Sequence, residues 1–277
     1  MPEQLPKISV VSTSYNQGRL IETCIKSVLQ QEFPNFEHTV VDGGSTNETL
    51  EILGKYDHVK WISESDQGMQ DALNKGFRMA TGEIIGWLNT DDYYYLPGCF
   101  AKVANYFLSH PETDVLYGDY RWVDQGGRVT QLRREIDFDV FILKYLHVLY
   151  IPTTATFIHK RVARGRPLFN LDYSYAMDYE LFLRLPLEGY KFSHIRAFLA
   201  DFRFHEKSKT TTGAHLQRSE QKRALLMHDP FLKQWPRGVQ KLLLPALILV
   251  ARTKRTIIKA SRGYYLTQWY PRFCKDA

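Results

Sequence analysis

Short apolar runs and helix-spaced apolar residues alternate along the first ninety positions of the chain. Residues 7–14 (KISVVSTS) are alternating and β-branched and predict a strand. Leu20, Ile21, Cys24, Ile25, Val28 and Leu29 then recur at helical spacing, which predicts a helix over 19–31. A second strand over 36–41 runs into Asp42-Gly43-Gly44-Ser45-Thr46, where the glycines allow tight backbone and Ser45 or Thr46 can cap a helix over 47–56. A strand over 59–63, a Ser65-Asp66-Gln67-Gly68 loop, a helix over 69–80 and an apolar run over 84–88 complete the pattern. This β-α-β-α-β-α-β order predicts a parallel sheet with helices on both faces.

Beyond residue 96 the rhythm is less regular. The pattern predicts helices over 97–108 and 176–187 and short strands over 115–117, 153–159, 192–195 and 198–204. Residues 120–123 and 129–133 flank Asp124-Gln125-Gly126-Gly127 and read as a hairpin. Residues 207–215 (KSKTTTGAH) are polar and predict a mobile loop.

The candidate chemistry gathers where the 84–88 strand ends, in Asn89-Thr90-Asp91-Asp92. In open α/β sheets ligands sit at the carboxyl ends of the strands. Two adjacent carboxylates there repel one another, so the stretch is either the site of a hard divalent cation, Mg²⁺ or Mn²⁺, or a turn whose Asp caps the next element. The turn after the first strand, SYNQGRLIE, lacks the G-x-G-x-x-G pattern of dinucleotide folds, and no G-x-x-x-x-G-K-[ST] loop is present.

Composition narrows the class. A hydrophobic content of 44% with 24% charged residues is that of a globular chain. Three cysteines, Cys24, Cys99 and Cys274, have no paired spacing, which points to a reducing compartment and no zinc site. The first ten residues show no secretory signal pattern, and a cytoplasmic location is the expectation. The net charge of +6 is uneven: residues 236–277 hold nine Lys/Arg and a single acid, Asp276, while the rest is close to neutral. No nucleic-acid partner is expected. The asymmetry separates two parts, a near-neutral body over 1–215 and a helical, basic extension over 216–277.

Seven segments in order carry a resemblance: VVSTSYN (10–16), VVDGGSTN (40–47), SESDQGMQDALNKG (63–76), TGEIIGWLNTDD (81–92), YGD (117–119), MDYELFLRL (177–185) and FRFHEKSKT (202–210). Together they resemble the family 2 glycosyltransferases, inverting nucleotide-sugar-dependent enzymes of the GT-A fold. The resemblance implies an α/β fold with a mostly parallel central sheet flanked by helices, and a role for each matching position. Asp42 matches the carboxylate that recognises the nucleobase, with Thr13, Tyr15 and Asn16 completing the pocket; as a residue it can equally be a turn or capping group. Asp66 matches a second donor-pocket acid, or is a loop Asp. Asn89-Thr90-Asp91 stands in the place of the D-x-D metal motif with Asn in its first position, so the cation, Mn²⁺ or Mg²⁺, falls to Asp91 and Asp92, and a late His205 matches a further ligand. Arg203, Lys207 and Lys209 surround His205 and can reach phosphates, or form a solvated charge run. Asp178 matches the catalytic base, or is a carboxylate stabilised at a helix N-terminus. Trp87, Trp122, Tyr93, Tyr94 and Tyr95 can stack on sugars or belong to the core.

These matches imply transfer from a nucleoside diphosphate sugar, a UDP-sugar, to a saccharide or polyisoprenoid-linked acceptor in polysaccharide or glycolipid assembly; the alternative is a catalytically silent GT-A module. A sugar nucleotidyltransferase would carry a glycine-rich basic loop after the first strand, and TSYNQGRL does not supply one. In the extension, the ten-residue apolar run over 242–251 is too short to span a bilayer, which takes about 20 residues. Flanked by Lys and Arg, with Tyr264, Tyr265, Trp269 and Tyr270 beyond, it predicts either a helix on the inner face of the cell membrane or one packed on protein.

Overall fold

The structure is a computed structural model that describes residues 5–146, 149–204 and 213–266. The four apolar runs of the first ninety residues are parallel strands, β1 (Ile8–Ser14), β2 (Phe36–Asp42), β3 (Val59–Ser63) and β4 (Ile84–Trp87), side by side in the order β3-β2-β1-β4. Helices α1 (Leu20–Leu29), α2 (Thr49–Leu53) and α3 (Met69–Met79) connect them. β1 is buried from end to end, as a strand covered on both faces must be. The apolar stripe of α1 packs inward through Ile21, Cys24, Ile25 and Val28. α2 is shorter than its pattern predicts, because Ser45 does not cap it: the Ser45 hydroxyl is taken by Asp42.

The sheet continues from β4 through β8 (Thr156–His159), β6 (Val115–Val123) and β9 (Phe192–Arg203) to β5 (Tyr93–Tyr94), with β7 (Val129–Arg133) pairing β6. β8 runs against both β4 and β6, so β6 and β9 recover the direction of the first four strands. Only residues 88–92 separate β4 from β5, yet β5 lies beyond three intervening strands. Across a flat sheet with spacings of about 4.8 Å that link would have to be almost fully extended. Instead the sheet curls and Tyr94 folds back over β4. A Cβ on Gly86 would lie 2.6 Å from the Tyr94 hydroxyl and 2.9 Å from the Phe157 ring, so this close approach requires glycine.

Two predicted breaks are absent. Residues 115–117 and 120–123 form one strand, β6, and residues 192–195 and 198–203 form one strand, β9. The pairing steps from Gly118↔Ile195 to Asp119↔Phe198, leaving Arg196 and Ala197 as a bulge. Residues 153–155 form a 3-10 turn ahead of β8. Helix α4 (Cys99–Ser109) covers the face holding Phe100, Phe157 and Leu199. Helices α5 (Val140–Tyr145) and α6 (Met177–Leu187) close the other face over Trp87, Tyr117 and Phe169.

The residues beyond 213 pack onto this body. Helix α7 (Ala214–His228) lies against α6, and α9 (Arg237–Ser261) lies against α5 after the single turn of α8 (Pro230–Lys233). Tyr145, Leu225, Leu232 and Ala251 form a shared apolar cluster. The buried Asp229 accepts a hydrogen bond from the Tyr145 hydroxyl at 2.5 Å and caps α8 through the Phe231 N–H.

Glu37 pins β2 to β1 and to the entry of β4. It is buried, and accepts from Ser9 Oγ (2.6 Å), Lys7 Nζ (2.9 Å) and Thr81 N (2.7 Å). Burial pushes its carboxyl up, but the hydrogen bonds from Ser9, Lys7 and Thr81 outweigh it and hold the group well below the usual carboxylate range. A depressed folded-state value contributes stability above the unfolded value of about 4.3 and loses it as pH falls further. Glu37→Gln is therefore expected to lower the urea-unfolding stability by about 2–3 kcal/mol at pH 7. The gap from wild type should narrow as the pH drops below about 4.

Candidate active site

The carboxyl ends of β1, β2 and β3 lie in one row, through Ser14↔Asp42 and Asp42↔Ser63. Asp42 is fully buried, and its carboxylate accepts from Gly44 N (3.1 Å), Ser45 N (2.7 Å), Ser45 Oγ and Ser63 Oγ (2.7 Å). It therefore organises the turn after β2 and does not face solvent. Asn16 adopts φ +52°, a left-handed value that Asn tolerates. Its N–H donates to Ser45 Oγ (2.7 Å) and its Oδ1 accepts the Thr46 N–H (2.9 Å), which stitches the turn after β1 to the turn after β2. Asp66 closes over this turn. Its Oδ1 accepts the Gly68 N–H (2.8 Å), and a Cβ on Gly43 would lie 2.7 Å from its Oδ2 and 3.5 Å from the Tyr15 ring. Tyr15 is 63% exposed, so the open wall here belongs to Tyr15 and Asp66.

Asn89 to Asp92 follow at the end of β4. The Thr90 hydroxyl donates to the Thr13 carbonyl (2.9 Å), tying this turn to β1. Asp92 is buried; it accepts the Arg203 N–H (2.9 Å) and a short hydrogen bond from the Thr154 hydroxyl. Burial, then the neighbouring Asp91 charge, pushes its carboxyl well above the usual range, while Thr154, the Arg203 N–H and Asn89 oppose the shift. Asn89 accepts from the Trp87 indole (3.1 Å) and hydrogen-bonds the Asp92 carboxylate. An amide can accept from an indole and donate to a carboxylate with one side chain, which an ionised Asp cannot. That is a physical reason for Asn in the first position of this motif, where Asp would set a third carboxylate beside a buried one.

Asp91 is the half-buried member of the pair. Among the described residues no group of three or more His, Cys, Asp or Glu converges as a ready-made cation cage. Asp91 with Asp92 behind it is an all-oxygen set that suits Mg²⁺ or Mn²⁺ when water and phosphate oxygens complete the shell. Arg203 is 5% exposed, its guanidinium lies 5.4 Å from the Tyr93 ring centroid, and its Nε has no hydrogen-bond partner among the described residues. His205, Lys207 and Lys209 lie outside the described residues.

Asp178 sits in the first turn of α6, half-buried, with Oδ1 accepting the Tyr179 N–H (2.7 Å). Burial pushes it up to about 6; the Tyr179 N–H opposes this and the Glu220 charge adds to it. The helix that carries it is held from two sides. On one side is α3, where Asn74 Nδ2 donates to the Phe169 carbonyl and Asn74 Oδ1 accepts the Leu168 and Phe169 N–H groups. Gln70 Nε2 donates to the Leu171 carbonyl (3.2 Å). On the other side is α7, where Glu220 accepts the N–H groups of Ser174, Tyr175 and Ala176 just before α6. His228 and Arg184 meet the buried Glu180 at 2.9 and 2.8 Å. Gln70, Asn74, Thr154 and Glu220 were not singled out from sequence. The one available signal was Asn74, a polar residue on the apolar face of a helix. Trp87 and Tyr94 are core residues: Trp87 is 1% exposed and packs edge-on to Phe169.

Three comparisons bear on this arrangement. The family model described as glycosyl transferase family 2 matches residues 9–169. A PGL/p-HBAD biosynthesis glycosyltransferase from Mycobacterium tuberculosis is 33% identical over 129 residues, 42% of this chain and 50% of that protein, so the chain is matched over about half the length of this relative. Among solved structures, S. aureus TarS 1-349 in complex with UDP-GlcNAc aligns with a TM-score of 0.64 at 20% identity, covering 80% of this chain and 66% of that one. The mannosyltransferase PcManGT from Pyrobaculum calidifontis, in complex with GDP-Man and Mn²⁺, aligns with a TM-score of 0.60 at 17% identity, covering 95% and 76%. The mixed, curled sheet described above is the GT-A fold of these neighbours.

The double duty of Asn89 makes a direct test. Asn89→Asp removes the donor to Asp92 and adds a charge beside it, and is expected to cost about 1–3 kcal/mol in urea unfolding. Asn89→Ser, which adds no charge, should cost less.

Proposed function

The chain belongs to glycosyl transferase family 2, and from that premise we propose an inverting enzyme that moves the sugar of a UDP-sugar to a hydroxyl of a saccharide or polyisoprenoid-linked acceptor. The observation that carries the reading is the placement of Asp178, half-buried in the first turn of a helix whose approach is held by α3 and α7, where burial also raises its carboxyl. A general base works best when its pKa lies near the working pH. The bound UDP-GlcNAc and GDP-Man of TarS and PcManGT support a nucleoside diphosphate sugar as donor.

In this proposal the nucleobase lies against Tyr15 and Asp66, on the turn that Asp42, Asn16 and Thr13 hold in shape. Asp91, backed by Asp92 and Asn89, and Arg203 face the diphosphate, with Lys209 and His205 on the segment that follows. A divalent cation bound there supplies Lewis-acid stabilisation of the diphosphate charge. Asp178 takes the proton from the acceptor hydroxyl as its oxygen bonds to C1. The bond from C1 to the diphosphate oxygen breaks on the opposite face, and the nucleoside diphosphate leaves with that electron pair. The anomeric configuration inverts in this single displacement. The product feeds polysaccharide or glycolipid assembly.

We place the protein at a membrane surface through α8 and α9. Phe231, Trp235, Leu242, Leu249 and Ile257 are 48%, 42%, 79%, 66% and 62% exposed, and the α9 members recur about every two helical turns, along one face. Lys233, Arg237, Lys241 and Arg252 are exposed on the same elements, which favours an anionic lipid surface as the occupant. None of the described helices is long and apolar enough to cross a membrane.

Asp178→Asn is expected to reduce transfer about 10²–10⁴-fold while UDP-sugar binding by calorimetry stays close to wild type; transfer at the wild-type rate would overturn the assignment. Because the ionised carboxylate is the active form, kcat/KM should rise with pH through about 6. Glu220→Gln removes a negative neighbour, eases ionisation of Asp178 and should move that limb to lower pH. For the surface, flotation with phosphatidylserine vesicles should be lost in the Leu242→Glu/Leu249→Glu double variant. Equal flotation, or loss of a dimer in light scattering instead, would count against lipid as the occupant.

A further inference from the structure

A cavity of about 490 Å³ is lined by Asp119, Arg134, Arg196, Phe198, Arg262 and Tyr264, none of them assigned to donor or base. Four parts of the chain build it: Asp119 stands on β6, Arg196 and Phe198 on β9, Arg134 on the segment after β7, and Arg262 and Tyr264 just beyond the end of α9. The charges around it do not balance. Asp137 meets Arg262 at 2.7 Å, Arg196 at 3.2 Å and His194 at 3.3 Å. Behind the lining, Glu135 alone faces Arg255, Lys259 and Arg133 at 2.5, 3.2 and 3.6 Å. Asp119 is engaged by His194 and by the Glu135 N–H, both at 2.9 Å. The cluster thus holds six Lys and Arg side chains against three carboxylates.

Donors are also left over. Among the described residues Arg134 has no carboxylate partner; its guanidinium rests 5.4 Å from the Phe198 ring centroid and its buried Nε has no acceptor. Arg262 Nη1 is likewise buried without an acceptor. Unsatisfied buried donors cost stability unless a ligand or water meets them. Planar guanidinium groups converging from several sides match the oxygens of a phosphate.

We propose that this cavity is a binding site for a phosphate or diphosphate group, separate from the donor site and completed by the end of α9. Phe198 and Tyr264 give it apolar walls, so the group can belong to an organic phosphate as readily as to a free anion. The site does not depend on the transferase reading: none of its lining residues is assigned to donor, cation or base.

The test is calorimetry on the full chain in buffer with EDTA, using inorganic phosphate, inorganic pyrophosphate and monomeric dihexanoylphosphatidic acid as probes. Wild type should bind at least one of them, and Arg134→Gln and Arg262→Gln should each weaken that binding at least about tenfold. Arg134→Lys keeps the charge but not the fork, and should recover only part of the loss. Preference for the phosphatidic acid identifies a lipid-borne phosphate as the ligand; preference for pyrophosphate identifies a soluble one. UDP binding with Mn²⁺, measured on the same preparations after exchange into EDTA-free buffer, should be unchanged, which shows that each variant is folded and its donor end intact. Absence of binding by wild type at millimolar probe, or equal binding by folded Arg134→Gln, overturns the proposal.

Discussion

A carboxylate buried where three segments meet sets the geometry of the turn after β4. Asp92 leaves β4, receives the hydroxyl of Thr154 just ahead of β8, and receives the backbone N–H of Arg203 at the end of β9. Burying a charge is costly unless it is hydrogen-bonded on every side, and here Thr154, Arg203 and Asn89 provide those bonds. The arrangement has two consequences. It fixes the 88–92 link that lets β5 reach the far edge of the sheet, and so the curl of the whole sheet. With Asp92 committed inward, Asp91 is the less buried carboxylate of the pair. The two acids of the motif look equivalent in sequence, and burial tells them apart.

The helix bearing Asp178 shows a second dependence. Its first turn is approached by a loop that has little regular structure of its own over residues 164–176. That loop is held by Asn74 and Gln70 from α3 and by Glu220 from α7. α3 begins immediately after the Asp66 loop, so one helix links that turn to the position of Asp178. The polar residues of 63–76 thus hold two separate turns from one element. It also follows that α7, though it lies in the part of the chain that composition assigns to an extension, contributes directly to the placement and acidity of Asp178.

What could be read from the sequence follows the range of the forces involved. β1 to β4 with their helices were legible because periodicity and turn chemistry are local, and α3 and β4 fall within a residue or so of their predicted bounds. The strands β6 and β9 were each read as two, because Gly118-Asp119 and Arg196-Ala197 look like turns. They are a step in register between two long paired strands, which only the partner strand reveals. β5 is two residues long and α5 six, too short to show a period. Asp42 matches a nucleobase-recognising carboxylate by resemblance; its burial and its bonds from Gly44, Ser45 and Ser63 are tertiary contacts that the sequence pattern does not reveal.

Charge along the tail illustrates the same limit from the other direction. Nine basic residues and one acid over 236–277 read as an unpaired positive surface. In the fold, Lys254, Arg255, Lys259 and Arg262 turn toward Asp139, Glu135 and Asp137, all of them on the segment after β7. Composition counts charge but not direction. A helix has two long faces, and on α9 the residues that meet the body are apolar ones such as Leu244, Leu247 and Ala251 together with the basic ones near its end, while Leu242, Leu249 and Ile257 point outward. Lys259 records the cost of that inward turn. Burial, reinforced by Arg255 and Arg133 and offset in part by Glu135, pulls its ammonium down to about 8. The main cause is burial, which the inward turn of the helix imposes, and the same turn carries Arg262 to the wall of the arginine-lined cavity at the end of α9.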